Sequence, residues 1–117
     1  FELVAIATRS PASAQRTAVA FKEWTDATPK VYSGETPWRN ILRDFPDLDV
    51  MAVATPDHLH TPVILAALKA GAHVITEKPM CLDIAEADQI IELSQKQNRV
   101  VAVDMHKRYD PDHLLGR

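Results

Sequence analysis

Four times over, a short apolar run rich in β-branched residues gives way to a longer helical stretch, and this alternation leaves the chain few architectures to choose from. Leu3-Val4-Ala5-Ile6-Ala7 is apolar at every position, as a strand covered on both faces should be. Ser10-Pro11 reads as an N-cap followed by proline at the first helical position, which predicts a helix to about Trp24. A short strand around Val31-Tyr32 comes next. Thr36-Pro37 repeats the cap-plus-proline opening for a brief helix carrying Trp38, Ile41, Leu42 and Phe45. Val50-Met51-Ala52-Val53-Ala54 predicts the clearest strand, and a helix begins near Pro62 and stops at Gly71, a residue suited to a left-handed C-cap. His73–Thr76 predicts another strand. Asp83 and Glu86 form a capping box opening a helix with the apolar stripe Ile84, Ala87, Ile90, Ile91 and Leu93. Asn98 ends it, and Val100–Val103 is the last strand. Such repetition with short links predicts right-handed crossovers: an α/β fold, a Rossmann-type parallel sheet with helices on both faces.

In sheets of this kind ligands bind beyond the carboxyl ends of the strands, where backbone amides and helix N-termini converge. The rule selects Thr8-Arg9-Ser10, Thr55-Pro56-Asp57-His58, Thr76-Glu77-Lys78-Pro79, and Asp104-Met105-His106-Lys107-Arg108. Polar strand ends are common in α/β proteins, so by themselves they predict only a ligand-binding domain.

Composition narrows the partners. A formal net charge of -3, with 13 Lys and Arg dispersed along 117 residues, argues against nucleic acid. No apolar run approaches the length of a membrane span, and the expectation is a cytoplasmic protein. The single Cys81 forms no internal disulfide and reads as a small packed residue. No pairing of the five His with Cys81 has recognised ligand spacing, so no metal is expected. Gly34, Gly71 and Gly116 are too far apart for a G-x-G-x-x-G turn. The expectation is therefore a domain incomplete at its N-terminus, whose first strand and glycine turn precede Phe1. Residues 1–111 are read as this partial nucleotide-binding domain, and 112–117 as the start of a connection to a second domain.

Three stretches together resemble the Gfo/Idh/MocA oxidoreductases, the family of glucose–fructose oxidoreductase and inositol dehydrogenase. They are Val53-Ala54-Thr55-Pro56-Asp57-His58-Leu59-His60 with the helix to Gly71, then Ala72-His73-Val74-Ile75-Thr76-Glu77-Lys78-Pro79-Met80, and Val100 to Pro111 with its Lys107-Arg108-Tyr109-Asp110-Pro111 ending. The tripeptide Glu77-Lys78-Pro79 is uninformative alone. Its place after that loop and strand is what carries the likeness.

The resemblance implies hydride transfer between a nicotinamide cofactor and a sugar, cyclitol or related polyol in a homo-oligomeric parent protein. Its second, α+β domain and catalytic His would lie beyond Arg117. It implies Lys78 as the catalytic residue beside nicotinamide and substrate hydroxyl, and a desolvated lysine near other cations is chemically suited to proton transfer. Glu77 is assigned to the nicotinamide ribose or to holding Lys78, and Pro79 to rigidifying the turn, with a cis Lys78–Pro79 bond as a hypothesis. Thr55, Pro56 and His58 line the cofactor's pyrophosphate and ribose, His106 packs on nicotinamide, and Arg108 contacts substrate or structure. Asp104-Met105-His106 departs from the family's usual small residues.

Thr8, Arg9 and Ser10 bear on the cofactor. NAD-users normally carry an acid at the end of the second strand, where this chain has Thr8 followed by Arg9. An arginine binds a 2′-phosphate with charge-assisted bonds, so NADP(H) is favoured; an Arg9 stacked on adenine in an NAD(H) enzyme is the alternative. His60 reads as a capping or packing residue. A non-catalytic nucleotide-binding regulator with the same fold is the competing function, and a truncated, inactive domain is a third.

Overall fold

The computed structural model describes residues 2–111, apart from the Tyr109 side chain; the predicted connection 112–117 lies outside them. Five strands alternate with four α-helices: β1 (Ala5–Thr8), α1 (Pro11–Thr25), β2 (Lys30–Ser33), α2 (Pro37–Asp44), β3 (Val50–Val53), α3 (His60–Lys69), β4 (His73–Glu77), α4 (Ile84–Gln97) and β5 (Val101–Asp104). Single 3-10 turns, Asp57–Leu59 and His106–Tyr109, follow β3 and β5. All ladders are parallel, as the alternation predicts. They form two sheets, however, β1-β2 and β3-β4-β5, where one was expected. The reason is local: β1 has β2 as its single ladder partner and β3 has β4, so no backbone bonds join the two groups among the described residues. The chain correspondingly divides into two compact units, residues 1–46 and 47–117.

In the first unit, α1 and α2 both pack against the β1-β2 pair. Ser10 caps α1 by accepting the Ser13 amide at 3.4 Å, and Asp26 closes the helix in the left-handed region. Thr36 differs from expectation. Its side chain makes no capping bond, so α2 starts on Pro37 alone. Buried Trp38, Ile41 and Tyr32 anchor this unit's core.

An acid–base knot closes the edge of that core. Asp44 accepts from Lys30 Nζ at 2.6 Å, from the Tyr32 hydroxyl at 2.7 Å and from Arg43 Nε at 3.0 Å. Bonds from Lys30, Tyr32 and Arg43 hold its carboxyl well below the usual carboxylate range, and the same Asp44 raises Lys30. A depressed carboxyl stabilises the fold above its unfolded pKa and loses that contribution as pH falls toward the folded one. The expected result for Asp44→Asn is a lower Tm at neutral pH. The gap to wild type should shrink as the buffer is taken below pH 3.8, the group's ordinary value. A gap independent of pH in thermal melts would remove the ionic explanation.

In the second unit, α3 lies against β3 and β4 and packs on α4. Val63, Ile64, Ala67, Leu68, Val74, Met51, Val53 and Ile90 form its core. Gly71, at φ +87°, ends α3 as predicted. The helix starts at His60, ahead of the predicted Pro62, because the 3-10 turn runs directly into it. Proline is tolerated in a first turn, where an amide would lack an intrahelical acceptor. Asp83 accepts the Glu86 amide at 2.8 Å, as expected of its cap, while the Glu86 carboxylate reaches the Leu82 amide at 2.9 Å. Asn98, at φ 51°, closes α4.

The predicted stripe on α4 is only partly a core stripe. Ile90 is buried, whereas Ile84 and Ile91 are 80% and 47% exposed. Neighbouring residues on a helix are about 100° apart, so the rotation that seats Ile90 turns Ile91 outward. On the sheet, Ala52, Ile75 and Ala102 are registered partners and all exposed, which leaves that part of the strands without a helix over it.

Candidate functional site

The strand ends singled out by sequence divide between the two units. In the first, β1 runs into the Thr8–Ser10 turn. The Thr8 hydroxyl donates to the Ser10 carbonyl at 2.7 Å, and the Gly34 amide donates to the Arg9 carbonyl at 3.3 Å. These bonds fix the turn's backbone and leave the Arg9 side chain exposed at its tip.

In the second unit, the parallel register brings three strand ends to one edge. Val53 pairs with Thr76, and Glu77 with Asp104. β4 therefore delivers Glu77 and Lys78 beside the segment that leaves β5. Lys78, Met105, His106, Lys107 and Arg108 line one cleft. Lys78 is exposed. Its backbone amide donates to the Glu77 carboxylate at 3.3 Å. The Lys78–Pro79 bond is cis, as hypothesised. Lys107 pairs with Asp110 at 3.2 Å, and Arg108 rests its guanidinium 3.7 Å from Met105 Sδ.

Thr55, Pro56 and His58 follow β3, with Pro56 and His58 exposed. The Thr55 hydroxyl is buried with no hydrogen-bond partner among the described residues. A buried hydroxyl without a partner is costly, and at a strand end a bound polar ligand would satisfy it. Thr55, Glu77 and Lys78 thus bring a hydroxyl, a carboxylate and an ammonium to the ends of β3 and β4, groups of a kind that can bind a polar ligand. Gly34 and Gly71 both have room for a Cβ, so neither is a close-approach glycine of a phosphate turn.

Spacing alone did not reveal two features of this edge. Glu77, Asp104 and His106 each bring one potential ligand atom to within 4.8 Å of the others. The signal for that cluster is register, since adjacent parallel strands end level with each other at Glu77 and Asp104. The second is His60. It is completely buried, with Nδ1 2.6 Å from the Pro79 carbonyl oxygen and Nε2 2.8 Å from the Thr55 carbonyl oxygen. It is thus a cross-link between loops, and not the cap or simple packing residue its position suggested. Cys81 is half-buried, and its thiol is pushed up by burial and by Glu86 and Asp83, which makes it a poor nucleophile.

Parallel strands joined by helices, with polar residues gathered at the carboxyl ends, define a Rossmann-like nucleotide-binding domain. The chain belongs to the Gfo/Idh/MocA oxidoreductases: the family model, described as an oxidoreductase family with an NAD-binding Rossmann fold, matches residues 1–105. The chain is similar to levoglucosan dehydrogenase of Pseudarthrobacter phenanthrenivorans, at 34% identity over 68% of this chain and 23% of that protein. It also resembles the crystal structure of an NAD binding oxidoreductase from Klebsiella pneumoniae, with TM-score 0.76 and 31% identity over 97% of this chain and 28% of that one. A levoglucosan dehydrogenase in complex with NADH and levoglucosan matches with TM-score 0.72 and 31% identity, over 92% of this chain and 26% of that one. The chain thus spans about a quarter of the length of the relatives it matches. No helix of the described residues is long and apolar enough to cross a membrane.

Proposed function

We propose that the protein carrying this domain is an NAD(P)-dependent dehydrogenase that moves hydride between the nicotinamide and a sugar, cyclitol or related polyol. The observation that carries the reading is Lys78, set by β4 in one cleft with the residues leaving β5. The cofactor supplies the hydride chemistry, and the protein supplies position and a path for the proton. Lys78 takes or gives the proton of the substrate hydroxyl at its Nζ. Glu77 fixes the main chain of Lys78 and offers its remaining oxygen to the nicotinamide ribose. His106 packs against the nicotinamide, and Arg108 orients the substrate through its guanidinium. Thr55, Pro56 and His58 contact the pyrophosphate and ribose. The test is turnover of a panel of sugars and cyclitols by the full-length protein with either cofactor, followed by the absorbance of the reduced nicotinamide. Polyol-dependent reduction supports the reading. Tight cofactor binding with no turnover of any polyol overturns it in favour of a nucleotide-binding regulator.

Arg9 tips the cofactor choice toward NADP(H). Its exposed guanidinium follows a neutral Thr8, so nothing at that turn repels a 2′-phosphate. We expect a lower KM for NADP+ than for NAD+. Arg9→Ala should raise the NADP+ value about tenfold, the scale of one lost charge-assisted hydrogen bond. The NAD+ value should stay constant. A wild-type preference for NAD+ in steady-state kinetics would reverse this assignment.

A further inference from the structure

We propose that His60 is a positioning residue for Lys78, a buried clasp that ties the Lys78–Pro79 turn to the end of β3. The starting point is an unusual use of a histidine. His60 is the first residue of α3, yet the hydrogen bonds of its ring run to no amide of that helix. Both ring nitrogens instead meet carbonyl oxygens from elsewhere: Pro79, nineteen residues away and directly after Lys78, and Thr55, five residues before it. Carbonyl oxygens only accept and a neutral imidazole carries a single N–H, so the ring donates to one of the two, and the clasp assigns that hydrogen to Nδ1 and the Pro79 carbonyl. The ring is wholly enclosed. Each loop it grips holds a residue assigned to the reaction centre, Lys78 on one and Thr55 on the other. On the Thr55 loop, the Thr55 hydroxyl is buried with no partner among the described residues, so the loop is not held through that group.

The consequence for Lys78 is mechanical. Its side chain is exposed and flexible, so the place where Nζ can be found is set by the backbone from which it springs. One end of that backbone is fixed by the β4 ladder, where Glu77 pairs with Asp104. The other end is Pro79, which has no amide to donate, so its carbonyl is the group through which a neighbour can hold it. His60 Nδ1 does so. Releasing this end would let the turn shift while both strands stay in register. A displacement of about 1 Å at a reacting group can cost about 100-fold in rate.

The inference rests on the reading of Lys78 as the proton-transfer group, and the experiment separates the two. Asparagine places its amide nitrogen near the position of histidine Nδ1, whereas glutamine places its own near Nε2. In the full-length protein, acting on the best polyol of the panel above, His60→Asn should keep kcat within about tenfold of wild type by retaining the bond to Pro79. His60→Gln and His60→Ala should lose about 100-fold in kcat. Kd for the reduced cofactor, read by its fluorescence, should change by less than about tenfold in all three, well short of the loss in kcat, because the clasp acts on the reaction through Pro79 and Lys78 and frees only one of the loops assigned to the cofactor. If kcat follows side-chain size, with glutamine above asparagine, the residue is packing and the clasp is wrong. A folded His60→Ala with wild-type kcat overturns it equally. Lys78→Ala is run alongside. Wild-type turnover in that variant removes the role of Lys78 itself, whereas its loss together with an active His60→Ala removes only the clasp.

Discussion

Lys78→Ala is expected to lower kcat by about 10²- to 10⁴-fold, the contribution of a positioned general acid or base, while leaving the protein folded and cofactor-bound. The structure makes the two halves of this expectation separable. The Lys78 side chain is exposed and takes no part in the core, so its removal should cost no more than about 0.5 kcal/mol in stability. The bonds that shape the turn use main-chain atoms: the Lys78 amide to Glu77, and the Pro79 carbonyl to His60. Alanine keeps both. Lys78→Arg sharpens the result. Arginine preserves the positive charge but does not give up its proton, so it should be nearly as inactive as alanine if proton transfer is the role, and partly active if charge alone suffices. Single-turnover and steady-state rates on the full-length protein check both variants, and wild-type turnover in Lys78→Ala would end the assignment.

How legible this site is from sequence depends on how far apart its parts lie along the chain. The strands declare themselves as short runs of apolar, often β-branched residues, as at Val50–Val53, although the exposed Ala52 shows that this run is covered on one face only. The caps at Ser10, Asp83, Gly71 and Asn98 are equally legible, since each is decided within a few residues. The strand-end rule then points to Lys78 and Arg108 without any knowledge of the cleft they share. What the sequence withholds is everything set by packing at a distance. Ile84 and Ile91 fit the helical period as well as Ile90 does, and only the seating of α4 on α3 decides which is buried. The two sheets follow from which strands find ladder partners, and that is not encoded within any one strand. His60 is the sharpest case. Its meaning lies in a carbonyl nineteen residues away, and its letter is compatible with a cap, a ligand or a core residue.

Ile64→Ala should destabilise the second unit by about 2–5 kcal/mol, the range for deleting a buried branched side chain and leaving a cavity. Ile64 is wholly buried on α3, the helix that lies against β3 and β4 and packs on α4. Its neighbours Val63, Ala67 and Leu68 are equally enclosed, so little room exists for the site to collapse around the missing atoms. Ile91→Ala is the matched control: the same atoms are removed from a helix position that is half exposed, and the loss should stay within about 1 kcal/mol. The comparison also bears on the site. α3 begins at His60, and a void beneath its second turn would loosen the residue that grips Pro79 and Thr55. Urea midpoints at constant m-value measure the stability difference, and hydrogen exchange of the β4 amides would locate it. Equal midpoints for Ile64→Ala and Ile91→Ala would mean that α3 does not organise this unit's core. A large midpoint shift for Ile64→Ala, with β4 protection lost as well, would show that the helix and the strand leading to Lys78 open as one cooperative unit.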